Sequence, residues 1–185
     1  MGSTVLVTGC GSGFGGLIAR TLARDGHHVF ATMRDIDSRN AEPAAALREW
    51  AAEYGARIDV LELDVTSDAS VQSAVDEALR RAGRIDMLIN NAGVAASGPL
   101  EAFLLQQPAR TLPDPHEVAD AIKILVDLPP CQRPLRTVAG AVFTEGVSEY
   151  NASYERMRDH LAAVLQRPDR AITWTPAAGD PARET

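Results

Sequence analysis

At 185 residues, 45% hydrophobic and 23% charged, the chain has the composition of an ordinary globular protein rather than a disordered, collagen-like or membrane one. Its formal charge of -7 argues against the basic surface on which nucleic-acid or anionic-membrane binding depends, so neither is an expected partner. Two cysteines, Cys10 and Cys131, and four scattered histidines supply neither a disulfide framework nor a metal-ligand set, and a reducing, cytoplasmic setting fits best.

In chain order, Val5-Leu6-Val7 is a short aliphatic run suited to a strand buried on both faces, and it stops at a glycine-rich turn. Leu17, Ile18, Thr21 and Leu22 then recur at helical spacing, with Gly26 placed as a left-handed cap. A second strand reads Val29 to Thr32. It is followed by a helix carrying Leu47, Trp50 and Tyr54 that halts at Gly55. Ile58, Val60, Leu61 and Leu63 form a third strand. Ser67 is an N-cap for a helix with Val71, Val75, Ala78 and Leu79, closed by Gly83. Ile85 to Ile89 is a fourth strand. Strands separated by helices long enough for crossovers predict an α/β fold with a parallel sheet covered on both faces.

After Asn90-Asn91-Ala92-Gly93 the alternation stops, leaving one apolar patch, Phe103-Leu104-Leu105, before a proline-rich segment. Asp114-Pro115-His116-Glu117 then reads as N-cap, proline at the first helical position and capping-box acid, opening a helix with Val118, Ile122, Leu125 and Val126. Pro129-Pro130 ends it. Thr137 to Ala139 is expected as a short strand, and Tyr150, Tyr154, Met157, Leu161 and Leu165 as the apolar stripe of a last helix. Residues 168–185 have the composition of a disordered tail.

The turn Thr8-Gly9-Cys10-Gly11-Ser12-Gly13-Phe14-Gly15 sits between the first strand and the first helix. Glycines there let the backbone approach a pyrophosphate, and the helix N-terminus offers unpaired amides and the positive end of its dipole. On its own the trio is also compatible with an unliganded turn. Together, Thr8-Gly-x-x-x-Gly13-x-Gly15, Asp64-Val65 after the third strand and Asn90-Asn91-Ala92-Gly93 after the fourth resemble the short-chain dehydrogenase/reductase family over residues 4 to about 105. The resemblance resumes over residues 110 to 167, through Asp114-Pro-x-x-Val118-Ala119 and Arg133-Pro134-Leu135-Arg136.

The resemblance implies a Rossmann-like doubly wound sheet binding NAD(P). Gly9, Ser12, Gly13, Phe14 and Gly15 would line the pyrophosphate and its adjoining riboses. Asp64 and Val65 would contact adenine, and Asn91, Ala92 and Gly93 would border the adenosine ribose. For Asp64 the competing reading is a cap of the following helix. Relatives that use NAD place an acid at the end of the second strand, where it accepts the ribose 2'-hydroxyl and repels a 2'-phosphate. Here that position reads Met33-Arg34. A cation without the acid favours NADP, although Asp35 is adjacent and Ser12 stands where many NADP-binding relatives carry a basic residue.

The family's chemistry uses a serine with a Tyr-x-x-x-Lys pair, the tyrosine acting as general acid or base and the lysine lowering its pKa. That pair is absent from this sequence. Lys123 is the only lysine and Ala119 stands four residues before it, while the residues four beyond Tyr54, Tyr150 and Tyr154 are Ile58, Tyr154 and Arg158. Between Phe103 and Arg110, where such relatives run through two further strands and two long helices, this chain passes directly from one matching half to the other. The expectation is an incomplete Rossmann domain over residues 1–167, lacking strands five and six of the family pattern. It retains an adenosine-binding half and has no assigned catalytic residue or metal ligand. Its ligand would be a dinucleotide or another adenosine compound, and an alcohol or ketone of steroid or retinol type would be turned over only if the missing segment were supplied. Two other readings remain open: a non-catalytic nucleotide-binding or interaction module, and an unstable truncated product with exposed strand edges.

Overall fold

The computed structural model describes residues 2–93 and 114–129, together with a discontinuous set between 132 and 164. The chain divides into two units, Met1–Lys123 and Ile124–Thr185.

In the first unit, strand β1 (Thr4–Val7) leads into helix α1 (Gly13–Arg24), and β2 (His28–Met33) into α2 (Ala41–Tyr54). Then come β3 (Ile58–Glu62), α3 (Asp68–Ala82) and β4 (Met87–Ile89). The four strands form one parallel sheet in the order β3-β2-β1-β4. Because β4 lies beyond β1 rather than beyond β3, the chain reverses direction across the sheet after β3. Right-handed crossovers then place α1 and α2 on one face and α3 on the other. This is the doubly wound, Rossmann-like α/β arrangement that the element order predicts.

β1 and β2 are buried at every residue, as fits aliphatic strands covered on both faces. On the α3 face Leu6, Phe30, Leu61 and Leu63 pack with Ala74 and Ala78. At the amino end of the sheet on that same face, His28 Nε2 lies 2.7 Å from Asp59 and its ring packs tilted against Phe30, the centroids 4.6 Å apart. Arg81 of α3 donates to Asp59 at 2.7 Å and also pairs with Glu77. Burial alone would raise the Asp59 carboxyl, but the hydrogen bonds from His28 and Arg81 outweigh it and hold the group below its ordinary value.

The predicted caps are where the sequence put them. Ser67 accepts from the Ser70 amide, and Gly55 and Gly83 close α2 and α3 in the left-handed conformation. β4 is shorter than the expected Ile85–Ile89. Asp86, just before it, binds the end of β1 through both its backbone and its side chain: its amide donates to the Thr4 carbonyl and its carboxylate accepts from the Thr4 amide.

Helix α4 (His116–Asp127) begins as its sequence predicts, with Asp114 accepting from the His116 amide at 2.9 Å. The boundary between the units falls within this helix. In the second unit, Arg133 donates to the carbonyls of Leu128 and Val126, satisfying the end of the helix. Thr137 and Ala139, the described residues of the segment expected as a strand, lie outside any strand, so the β-propensity of so short a run did not by itself make one there. The described positions between 149 and 164 are helical, but Met157, expected on an apolar stripe, is 54% exposed. The patch at Phe103 to Leu105, Cys131 and the tail from 168 lie outside the described residues.

Candidate functional site

The carboxyl ends of β1, β2 and β4 converge on the glycine turn. Gly9 and Gly13 take positive φ angles of 74° and 59°, a region that any other residue enters only under strain. Gly15 is required for a different reason: a Cβ there would lie 2.3 Å from the Gly9 carbonyl oxygen and 2.6 Å from Asn91 Nδ2. A Cβ on Gly13 would meet nothing within 4 Å, so this glycine serves backbone conformation and leaves space open above the turn.

Thr8 joins this turn to the segment after β4. Its hydroxyl accepts from the amides of Asn91 and Ala92, at 3.0 and 2.9 Å. Asn91 returns the contact, its side-chain amide donating to the carbonyls of Thr8 and Gly9 at 2.9 and 3.2 Å. Gly9 and Ala92 pack so closely that a Cβ on Gly9 would lie 2.8 Å from the Ala92 Cα. The motifs at residues 8–15 and 90–93 are therefore one structure. Gly93 ends the described part of that segment.

Above the turn, α1 opens with Ser12 at its N-cap, whose side chain makes no capping bond, and with no acidic residue in the first turn. Helix α3 has both a Ser67 cap bond and Asp68, and α2 and α4 have Glu42 and Glu117 in their first turns. Among the described helices, α1 alone leaves its positive end without either form of compensation. Beside it lies a groove of about 630 Å³ between α1 and α2, lined by Cys10 to Gly13, Arg20 and Glu42 among others. Phe14, 46% exposed, flanks the helix start. Cys10 is buried, and desolvation raises its thiol to about 12, so it is protonated and unreactive at neutral pH.

The remaining predicted residues stand at the ends of β2 and β3. Asp64 does not cap α3, a role that falls to Ser67. Its carboxylate instead accepts from the Thr66 amide at 2.9 Å and the Thr66 hydroxyl at 2.8 Å, while its own amide donates to Ser70 Oγ. The Thr66 hydrogen bonds, with a lesser contribution from the charge of Arg34, hold the Asp64 carboxyl below its ordinary value. Val65 is half exposed beside it, and Arg34 is an exposed residue just past β2.

Sequence reasoning did not single out Thr8 as a site residue, nor Asn40, whose side chain donates to the Arg34 carbonyl. A threonine opening the glycine motif was the available signal for the first, and nothing in the spacing marks the second. Lys123 lies elsewhere: its Nζ is 3.0 Å from Asp25, just beyond the carboxyl end of α1 and so at the opposite end of the sheet from the turn.

Residues 3–112 match the family model described as short chain dehydrogenase. The chain is 40% identical over 105 residues to retinol dehydrogenase 8 of Bos taurus, covering 55% of this chain and 32% of that protein. It is 40% identical over 111 residues to D-threitol dehydrogenase of Mycolicibacterium smegmatis, covering 60% and 41%. With a CLA biosynthesis dehydrogenase/reductase of Lactiplantibacillus plantarum the identity is 32% over 157 residues, 80% and 53% of the two chains. Among solved structures, gluconate 5-dehydrogenase from Burkholderia cenocepacia, in complex with NADP and tartrate, is 38% identical with a TM-score of 0.45, covering 55% of this chain and 38% of that one. The chain thus spans about a third to a half of the length of the curated relatives it matches.

Proposed function

Because the chain belongs to the short-chain dehydrogenase/reductase family, we propose that it binds the adenosine diphosphate part of NADP, in preference to NAD, without catalysing oxidoreduction by itself. The observation that carries this reading is the start of α1, the one described helix with neither a side-chain cap bond nor an acid in its first turn, standing on the Gly9–Gly15 turn. Its amides and dipole suit a pyrophosphate. Ser12, Gly13, Phe14 and Gly15 would hold that group, Asp64 and Val65 would border the adenine, and Asn91, Ala92 and Gly93 would back the ribose. Arg34 would supply the charge for a 2'-phosphate, against which the nearby Asp64 carboxylate acts.

A bound nicotinamide would accept or donate a hydride. The chemistry then needs a proton donor or acceptor, and no Tyr-x-x-x-Lys pair exists in this sequence to provide it. General acid-base catalysis contributes roughly 100- to 10,000-fold in such reactions, so turnover of alcohols or ketones falls below detection in our reading. The names of the relatives, retinol and D-threitol dehydrogenases, point to alcohols as the substrate class of any assembly that supplied the pair. No described helix is long and apolar enough to cross a membrane, and we place the protein in the cytoplasm on its composition.

Calorimetric titration with 2',5'-ADP, 5'-AMP, NAD and NADP tests the binding reading. Adenosine ligands should bind, those with a 2'-phosphate more tightly, and Arg34→Ala should remove only that preference. Equal affinity for NAD and NADP would refute the cofactor assignment, and no binding to a sample that unfolds cooperatively in urea would refute nucleotide binding itself. Sustained nicotinamide reduction with an alcohol panel would refute the absence of catalysis.

A further inference from the structure

Asn40 stands at the N-cap of α2, a position where asparagine ordinarily accepts a hydrogen bond from the first-turn amides. Here its side chain makes no capping bond. It turns back across the loop instead, and Nδ2 donates to the Arg34 carbonyl at 2.6 Å. The rest of the loop is folded around the same point. Asp35 takes a left-handed φ of 53°, uncommon for a residue with a side chain, and its carbonyl accepts from the amides of Ser38 and Asn40 at 3.1 and 2.9 Å. On its other side Asn40 rests against the glycine turn: a Cβ on Gly11 would lie 3.1 Å from Asn40 Oδ1. One side chain thus bonds to the backbone of Arg34 and lies close beside the turn that begins α1.

We propose that Asn40 is the positioning residue for Arg34, fixing the loop after β2 against the glycine turn and thereby setting the preference for a 2'-phosphate. This rests on the nucleotide reading above and adds to it a residue that touches no ligand. The helix start gives up a favourable cap bond, and a left-handed Asp35 is tolerated, in an arrangement that holds Arg34. Strain and diverted hydrogen bonds of this kind gather where a surface is held for binding. Without the Asn40 bond the arginine would still carry its charge, but its main chain would be released from the turn and its guanidinium spread over more conformations, some of them turned toward Asp64.

The test is a double-mutant cycle read by calorimetric titration of 2',5'-ADP and 5'-AMP. Serine caps helices as well as asparagine and is uncharged, but it is too short to reach the Arg34 carbonyl, so Asn40→Ser removes the bond while keeping a cap former. One exposed hydrogen bond predicts that the affinity ratio of 2',5'-ADP to 5'-AMP falls by roughly two- to tenfold. The urea midpoint should stay within error of the unmutated chain. In an Arg34→Ala background the same substitution should leave the ratio unchanged, since there is no guanidinium left to position. An unchanged ratio for Asn40→Ser, or an equal loss with and without Arg34, would overturn the proposal while leaving nucleotide binding intact. Failure of the unmutated chain to bind either nucleotide would overturn both.

Discussion

Leu6 and Leu88 are the same residue on neighbouring strands, paired in register between β1 and β4, yet Leu6 is 2% exposed and Leu88 58%. The difference divides the sheet. β1 and β2 are held by burial, with Val5, Val7, Val29 and Phe30 all inaccessible to water. β4 is held mainly by polar contacts: the two Asp86 bonds to Thr4 at one end, and the Thr8 amide and hydroxyl on the Ile89 carbonyl at the other. The candidate nucleotide site draws its glycine turn from the first region and its backstop, Asn91 and Ala92, from the second. Its geometry therefore depends on the less buried side of the molecule.

Substitutions at three positions would break or sharpen this contrast. Phe30→Ala, in the buried region, should lower stability by about 3–5 kcal/mol in urea unfolding, whereas Leu88→Ala should change it by less than about 1 kcal/mol. Equal effects would mean that β4 is covered in solution. Thr8→Val keeps the side-chain shape but leaves the Asn91 and Ala92 amides without their acceptor. It should destabilise by about 1–3 kcal/mol and weaken adenosine binding, and Thr8→Ser should restore both. Unchanged binding by Thr8→Val would detach the backstop from the site.

The smallest effect concerns acid. Salt bridges from Arg80 and Arg81 lower the Glu77 carboxyl to about 2, and His28 and Arg81 lower that of Asp59. A carboxyl depressed on folding stabilises the folded chain above its ordinary value and loses that contribution as the pH falls. For Glu77 the loss runs from about pH 4.5 down to about pH 2. Arg81→Gln should flatten the fall of the urea midpoint over that range. A slope as steep as in the unmutated chain would show that these exposed pairs contribute nothing measurable.

The alternation of elements and most of their ends were legible because each rests on a local rule. Ser67, Gly55 and Gly83 act on neighbours a few residues away, and Val5 to Val7 announces burial by composition. What could not be read depends on partners far along the chain or on a choice between equivalent bonds. The exposure of Leu88 is set by what packs over β4, not by the pattern of Met87-Leu88-Ile89. Asn40 has the sequence of an ordinary cap, and only the folded loop shows its side chain turned the other way. The glycine motif located the turn, but Gly13 and Gly15 look alike in sequence although one supplies a backbone angle and the other a gap.

The pairing of Thr8 and Gly9 with Asn91 spans more than 80 residues of sequence, and it bears on how the chain is born. Synthesis delivers the glycine turn first, long before the asparagine that braces it has left the ribosome. For that interval β1 has neither of its two sheet neighbours at the outset and gains β2 well before β4. Gly9 meanwhile lacks the Ala92 backbone that it packs against in the folded chain. The glycine turn is thus made well before the segment that braces it, and contacts of such long range are the slow ones in folding.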